Sequence, residues 1–279
     1  MNSWINGRKR TSIDCRDRGL QYGDGVFETM RIRQGRVRFL EYHLQRLELG
    51  CRQLKIAAVP FGVLRRELES VALRRRNGIL KLIVTRGSGS RGYRPTGRER
   101  CSRIIALHAL PKSVLTDEST PARIRLCATT LGLNPRLAGI KTLNRLESVM
   151  ARAEWQDPGI WEGLMRDVDE NIVCGTMSNL FLRRGSTLMT PVIDRCGVAG
   201  VMRRWVLETA GDLRVRATER RLRWQDLCEA EEVFMSNAVI GIRSVGIIER
   251  GRGRGRGRGR LRPASFELAK RLRERLDSL

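Results

Sequence analysis

Short apolar runs that end at polar or turn-forming residues recur along this chain, and they limit its fold more than any other feature. Residues 79–85 read ILKLIVT, and residues 103–110 read RIIALHAL. Runs of this length and composition are typical of buried strands, because helices need longer segments with a different period. We therefore predict a strand at each run.

Other segments carry the spacing of helices. Leu44, Leu47, Cys51 and Leu54 recur at intervals of three or four residues, which predicts a helix between residues 41 and 55. The same spacing after Lys141 predicts a helix that begins at or just after that lysine, with an apolar face formed by Leu143, Leu146, Val149, Met150 and Ala153. Further strands are predicted at 123–129, 163–168, 179–183, 187–190 and 232–236, and further helices at 200–210 and 264–277. This mixture predicts an α+β or mixed α/β fold.

The segment PKSVLTDESTP at 111–121 is polar and bounded by prolines, as interdomain linkers often are. It divides the chain into a smaller N-terminal α/β domain at 1–110 and a larger C-terminal domain at 122–279. Within the second domain, residues 250–260 alternate glycine and arginine. A segment of that composition cannot bury a core, so we expect an exposed loop before the last helix.

The chain is strongly basic, with 54 Lys and Arg against 30 Asp and Glu, a net charge of +24 and an isoelectric point near 11.3. This charge predicts attraction to anionic ligands. Arginine–glycine segments that bind RNA usually contain aromatic residues, and this one has none. We therefore expect nucleic acids to bind only by non-specific electrostatic attraction.

Seven cysteines without a C-x-x-C pair and only two histidines argue against a disulfide framework and against a zinc site, and no metal site is expected. The first 25 residues lack a continuous apolar segment, and no apolar run reaches transmembrane length. These features predict a cytoplasmic protein with no membrane partner.

Lys141, within LAGIKTLNRLE, stands out because only six of the 54 basic residues are lysines. Arginine is the better partner for carboxylates and phosphates, but it stays protonated. Lysine can lose its proton when it is removed from water, and it then becomes a nucleophilic amine. Two interpretations remain at this point: Lys141 performs amine chemistry, or it is a solvated lysine near a helix.

Two glycine-rich segments could bind anions. Residues 87–92 match G-x-G-x-x-G after a strand, but YRPTG follows where a dinucleotide-binding fold needs a helix. This context excludes nicotinamide and flavin binding and leaves a glycine-rich substrate loop that carries Arg91. Residues 197–203, GVAGVMR, lead into a predicted helix, whose first N–H groups could bind phosphate. A reactive lysine together with a phosphate-binding helix start fits pyridoxal 5′-phosphate.

The chain resembles the fold-type IV pyridoxal-phosphate enzymes, the group that contains the D-amino-acid and branched-chain aminotransferases. The matching segments, in chain order, are DRGLQYGDGVFETMR, HLQRL, TRGSGSRGY, LGLNPRLAGIKTLNRLE, MSNLF, CGVAGVMR and FMSNAVIGI. GSGSRGY and NPRLAGIKTLNRLE favour the lyase branch of this group over the aminotransferases. The resemblance implies a two-domain homodimer and a lyase that converts 4-amino-4-deoxychorismate to 4-aminobenzoate and pyruvate in folate biosynthesis. An aminotransferase for D- or branched-chain amino acids is the alternative, and a basic nucleic-acid-binding protein with a decayed cofactor site is a more distant one.

The resemblance also assigns roles to residues of this chain. Lys141 matches the lysine that binds the cofactor covalently, and Arg46 matches an arginine that holds its phosphate. The backbone N–H groups of Val201 and Met202 would complete the phosphate site, with Ala238 opposite. Substrate-binding positions are matched by Thr29, which also has an expected catalytic role, and by Arg91 and Asn237.

One cofactor-binding position departs from the family pattern. The glutamate that faces the cofactor's pyridine nitrogen lies five residues before the Asn of SNLF, and Cys174 occupies that position here. A neutral thiol stabilises a protonated ring nitrogen less well than a carboxylate does. Either the reaction tolerates this loss, or another group such as Asp169 or Glu170 substitutes, or the activity has been lost.

Overall fold

The computed structural model describes residues 2–56, 59–111, 120–250 and 260–279. The chain forms two compact units. Unit 1 comprises Met1–Leu115 together with Ile140–Asn144, and unit 2 comprises Thr116–Gly139 together with Arg145–Leu279. The short segment that carries Lys141 therefore belongs to unit 1, although the residues on both sides of it belong to unit 2.

Unit 1 contains an antiparallel sheet whose strands follow the order β2-β1-β6-β5-β3-β4. The strands are β1 Asn2–Ile5, β2 Arg8–Lys9, β3 Gly25–Arg33, β4 Arg36–Val37, β5 Asn77–Thr85 and β6 Ser102–His108. The predicted strands at 79–85 and 103–110 are confirmed as β5 and β6. In β5, Leu80, Leu82 and Val84 are buried, whereas Ile79, Lys81 and Ile83 on the opposite face are partly exposed.

The helices of unit 1 are α1 Arg18–Tyr22, α2 Leu40–Gln53 and α3 Phe61–Ala72. Helices α2 and α3 cover the buried face of this sheet. The predicted helix at 41–55 is confirmed as α2, which packs on β3 through Leu44, Leu47 and Cys51. A Cβ atom at Gly50 would lie 2.9 Å from Val26 Cγ1, so glycine permits the close approach of α2 to β3.

Unit 2 contains a larger mixed sheet, in the order β12-β11-β10-β13-β14-β7-β8-β9 with β15 paired to β14. Its strands are β7 Ala122–Leu131, β8 Glu162–Asp167, β9 Ile172–Gly175, β10 Asn179–Arg184, β11 Thr187–Pro191, β12 Arg216–Arg220, β13 Glu232–Asn237, β14 Gly241–Glu249 and β15 Arg260–Leu261. All five strands predicted after residue 122 are confirmed. The observed combination of helices and strands confirms the mixed fold class.

The helices of unit 2 are α4 Leu146–Arg152, α5 Val201–Ala210, α6 Trp224–Cys228 and α7 Glu267–Asp277. Helices α5 and α7 confirm the predictions at 200–210 and 264–277. The helix predicted directly after Lys141 begins later, at Leu146, because residues 141–143 extend along β3 instead. Its apolar face is also exposed rather than buried, since Leu146, Val149 and Met150 are 76, 60 and 62% exposed.

Two predicted segments lie largely outside the described residues: the linker at 111–121 and the glycine–arginine run at 250–260. In the described part of the chain, no helix is long and apolar enough to cross a membrane.

Candidate active site

Lys141 is held in place by the first part of β3. The Phe27 N–H donates to the Lys141 carbonyl at 2.9 Å, and the Leu143 N–H donates to the Gly25 carbonyl at 3.0 Å. Thr142 forms an antiparallel bridge with Val26. The backbone of the lysine is thus fixed like that of a short strand, which limits the positions that its side chain can reach.

The side chain of Lys141 lies over an aromatic ring. Its Nζ is 4.3 Å from the centroid of Phe27, a distance typical of a cation–π contact. Thr29 follows Phe27 by two residues, so both side chains project from the same face of β3. Thr29 therefore lies on the face that also carries the lysine–phenylalanine contact.

A second lysine, which the motif comparison did not single out, lies on this face. Lys81 is the cross-strand partner of Thr29, and its Nζ is 5.5 Å from the Phe27 ring. Lys81 is the only charged residue in the apolar run ILKLIVT, and this feature of the sequence could have identified it as a candidate site residue. The face thus combines two amines, a hydroxyl and an aromatic ring.

Glu28 projects from the opposite face of β3 and forms a buried ionic cluster with α2. Its carboxylate accepts hydrogen bonds from Arg46 Nε at 2.8 Å and Arg46 Nη2 at 2.5 Å, and it lies 2.6 Å from His43 Nδ1. Burial acts to raise the pKa of Glu28, but the adjacent positive charges and hydrogen bonds outweigh it and lower the pKa to about 2. Glu28 is therefore ionised at neutral pH.

Burial lowers the pKa of His43 against the opposing effect of Glu28, and the charges of Arg46 and Lys141 act in the same direction as burial. A neutral His43 donates from Nδ1 to the ionised Glu28. Its buried Nε2 makes no hydrogen bond to any described residue. Arg46, matched to a phosphate-binding arginine, uses Nε and Nη2 to bind Glu28.

Arg91 lies in the loop between β5 and β6 and is exposed to solvent. This loop contains no helix, which agrees with the exclusion of a dinucleotide-binding turn. Gly87 has a φ of +93°, and a Cβ atom there would lie 1.9 Å from the Arg100 carbonyl oxygen. Only glycine fits this turn.

In unit 2, Val201 and Met202 form the first turn of α5. Gly200 is the N-cap, and no side chain caps this helix end. A Cβ atom at Gly200 would lie 2.0 Å from Asn179 Oδ1, and Asn179 Nδ2 donates to the Val198 carbonyl at 2.9 Å. The amides of this turn provide donors and a favourable dipole for an anion, so the arrangement fits a phosphate group.

Asn237 ends β13, and Ala238 begins the turn that follows. Asn237 Oδ1 accepts hydrogen bonds from the N–H groups of Val239 at 3.0 Å and Ile240 at 2.8 Å. The asparagine oxygen therefore shapes the turn that contains Ala238.

Cys174 lies in β9 and is buried with Cys127, Cys196 and Val173. Burial and the nearby Cys196 and Glu162 raise the pKa of its thiol to about 12, although Arg145 acts in the opposite direction. Cys174 is therefore a neutral thiol at neutral pH.

The acidic residues that could replace the missing carboxylate are engaged elsewhere. Asp169 forms an ion pair with Arg195 at 2.7 Å, and Glu170 forms one with Arg166. About half of each acidic side chain is exposed. Glu162 is buried, but it accepts hydrogen bonds from Gly163, Thr176, Met177 and Ser178.

Residues 25–248 match the family model described as amino-transferase class IV. An aminodeoxychorismate lyase from Vibrio harveyi is 34% identical over 245 residues, which cover 87% of this chain and 89% of that protein. A D-alanine aminotransferase from Bacillus licheniformis is 26% identical, over 89% of this chain and 87% of that protein.

A crystal structure of 4-amino-4-deoxychorismate lyase from Pseudomonas aeruginosa matches with a TM-score of 0.91 and 42% identity, covering 99% of this chain and 98% of that one. A hypothetical aminotransferase from Mycobacterium tuberculosis in a PLP-bound form has a TM-score of 0.82 at 20% identity, over 100% of this chain and 99% of that one. This second match shows a shared fold.

Proposed function

Because this chain belongs to the class IV aminotransferase family, we propose that it is a pyridoxal-phosphate-dependent lyase that converts 4-amino-4-deoxychorismate to 4-aminobenzoate and pyruvate. The observation that carries this proposal is the 42% identity to the Pseudomonas lyase over 99% of the chain. The D-alanine aminotransferase from Bacillus licheniformis is only 26% identical. The lyase therefore has better support than the aminotransferase.

Several residues of the chain fit the cofactor. Lys141 offers an amine on a fixed backbone, and the first turn of α5 offers amide donors for a phosphate without a competing side-chain cap. We propose that Lys141 binds the cofactor and that the N–H groups of Val201 and Met202 bind its phosphate. Arg46 and Ala238 are proposed to complete this phosphate site, and Cys174 is proposed to contact the ring.

When bound, the cofactor withdraws electrons from the substrate carbon that carries the nitrogen. The substrate amine would displace Lys141 from the cofactor, and the freed amine of Lys141 would be the base that removes the proton from this carbon. The Thr29 hydroxyl, on the same face of β3 as the Phe27 ring, delivers a proton to the departing pyruvate. The remaining ring becomes aromatic, which supplies driving force for the reaction.

The substrate is a dianion, and positively charged side chains suit it. We propose that Arg91 binds one of its carboxylates and that Asn237 contributes a further contact. Lys81, next to Thr29 in the sheet, adds positive charge on the same face.

We also propose that the protein is a homodimer in the cytoplasm. Leu146, Val149 and Met150 expose apolar side chains on one face of α4, and such surfaces often mediate association. None of the seven cysteines, all within the described residues, forms a disulfide, as expected in a reducing compartment. Sedimentation analysis tests the dimer, and a monomeric mass would contradict it.

The decisive experiment measures products. The purified protein is supplied with pyridoxal phosphate and 4-amino-4-deoxychorismate, and 4-aminobenzoate and pyruvate are quantified. We expect equal amounts of both products and none with the K141A variant. In parallel, D-alanine and L-leucine are offered with 2-oxoglutarate. Faster amino transfer than lyase turnover would overturn the proposal in favour of an aminotransferase.

A further inference from the structure

Arg18, the first residue of α1, is a buried arginine that the proposed chemistry does not use. Its side chain is 3% exposed. Nη1 donates to the Gly92 carbonyl at 2.8 Å, Nη2 donates to the Tyr93 carbonyl at 2.8 Å, and Nε donates to Asp24 Oδ2 at 3.0 Å. The guanidinium therefore joins α1 to two consecutive peptide groups of the loop that carries Arg91.

The start of this loop is attached to the same segment through its backbone. The Arg18 N–H donates to the Gly87 carbonyl at 2.9 Å, and Asp17 forms an antiparallel bridge with Ser88. A Cβ atom at Gly89 would lie 2.9 Å from Arg18 Cδ, so the loop passes directly over the arginine side chain. Arg91 thus lies between two attachment points, Gly87–Gly89 and Gly92–Tyr93.

Tyr22, at the end of α1, holds the same part of the loop from another direction. The Gly92 N–H donates to the Tyr22 hydroxyl at 3.2 Å, and the rings of Tyr22 and Tyr93 meet edge to face at 5.4 Å. The Tyr22 ring also lies 4.9 Å from Arg18 Cζ. Both polar groups of the Gly92 backbone are therefore bound by α1.

Asp24 connects this anchor to the rest of unit 1. Its carboxylate also accepts hydrogen bonds from Arg86 Nε at 2.7 Å and Arg86 Nη2 at 3.0 Å. Arg86 in turn donates to the Leu54 carbonyl, just beyond α2, at 2.6 Å. Arg18 is thus connected through Asp24 and Arg86 to the backbone at the end of α2.

We infer that Arg18 is a positioning residue that fixes the loop at residues 87–93 so that Arg91 binds a carboxylate of the substrate. This inference rests on the proposed function, because Arg91 is a substrate residue only within it. Lysine cannot replace Arg18, since three acceptors in different directions require the planar fork of a guanidinium. A loop held in its binding conformation before the substrate arrives loses less entropy on binding, so the anchor lowers KM.

The test compares R18K with the wild type and with R16K. Arg16 is the matched control because it lies two residues away and forms an exposed ion pair with Asp14. Each loaded enzyme is treated with an arginine-specific protease, and cleavage after Arg91 is timed by mass spectrometry. KM and kcat for 4-aminobenzoate formation are measured on the same samples.

For R18K we expect cleavage after Arg91 to be at least about tenfold faster, because two charge-assisted hydrogen bonds to the loop are lost. We expect KM to rise about tenfold while kcat stays within about threefold. R16K should match the wild type in all three measurements. If R18K fails to fold, Y22F decides the question, and its expected cleavage rate and KM are about threefold above the wild type because one hydrogen bond to Gly92 is lost.

Unchanged cleavage and KM in R18K would overturn the inference. Faster cleavage with an unchanged KM, or a fall in kcat alone, would overturn the role in substrate binding. If the wild type forms no 4-aminobenzoate, the proposed function fails and the role in substrate binding fails with it. The cleavage comparison still decides whether Arg18 fixes the loop.

Discussion

The Nζ atom of Lys141 lies 4.3 Å from the centre of the Phe27 ring, on the sheet face that also carries Thr29. Phe27 hydrogen-bonds through its backbone to the carbonyl of the same lysine. One residue thus contacts both the backbone and the amine of the lysine.

We expect K141R to lose covalent attachment of pyridoxal phosphate and to lower kcat by at least about a thousandfold, because arginine keeps the charge but has no nucleophilic amine. Borohydride fixes the bond between a lysine and the cofactor, and mass spectrometry then identifies the modified peptide. K81R is the control, since Lys81 contacts the same ring. Its adduct should remain on Lys141, and an adduct on Lys81 in K141R would contradict the assignment.

Glu28 should stabilise the fold in a pH-dependent manner. Its pKa is lowered from 4.5 to about 2, so its stabilisation is present above about pH 4.5 and is lost as the pH falls towards 2. We expect E28Q to reduce the free energy of unfolding by about 3 kcal/mol at pH 7, and by a little under half of that at pH 3. Urea unfolding at the two pH values measures this difference.

E41Q is the control for E28Q, because Glu41 also pairs with an arginine but is exposed. A surface pair of this kind should contribute less than about 1 kcal/mol. An E28Q effect of the same size at pH 3 and pH 7 would show that packing, and not the charge of Glu28, is responsible.

Gly200 should be required for binding of the cofactor phosphate. In G200A the new methyl group would overlap Asn179 Oδ1, so either the turn before α5 or the Asn179 side chain that binds the Val198 carbonyl must shift. We expect the Kd for pyridoxal phosphate to rise at least about tenfold, which corresponds to 1.4 kcal/mol. Equilibrium dialysis measures the Kd.

G211A is the matched control for G200A. Gly211 ends the same helix with a φ of −59°, and a Cβ atom there would meet no atom within 4 Å. The Kd of G211A for pyridoxal phosphate should equal that of the wild type. Its free energy of unfolding should be equal or slightly higher. Equal Kd values for G200A and the wild type would remove the first turn of α5 from the phosphate site.

The neutral thiol of Cys174 should be sufficient for turnover, because formation of the aromatic product supplies driving force. We expect C174S to stay within about threefold of the wild-type kcat, and C174E to raise kcat by less than about tenfold. C174E should also lower the Tm, since it places a carboxylate among buried apolar side chains. A hundredfold gain in kcat would show that the site is not adapted to a thiol.

Local periodicity predicted much of the fold. The spacing of Leu44, Leu47 and Cys51 gave α2, and the apolar runs gave β5 and β6, because each depends on burial of one continuous segment. β3 was not predicted from its residues. Its inward positions include Glu28, whose burial is possible only because His43 and Arg46 arrive from α2.

The segment after Lys141 was predicted less well for a related reason. Leu143 fits a helical period, but hydrogen bonds to β3 keep residues 141–143 extended, and no local pattern encodes that pairing. Motif resemblance identified Lys141, Thr29 and the other candidate positions, and their roles stay predictions. It could not identify the contact of Arg46 with Glu28 or the loop anchor at Arg18, since both depend on residues that are distant in sequence.

The segment Ile140–Asn144 also affects how such a protein could be divided or recombined. A fragment ending at residue 115 would omit the five residues that line the start of β3, and a fragment beginning at residue 116 would carry them without their partner strand. Exchange of one unit between related genes therefore requires three crossover points rather than one. Lys141 lies within the short exchanged piece, so recombination at a single point would separate this lysine from the strand that positions it.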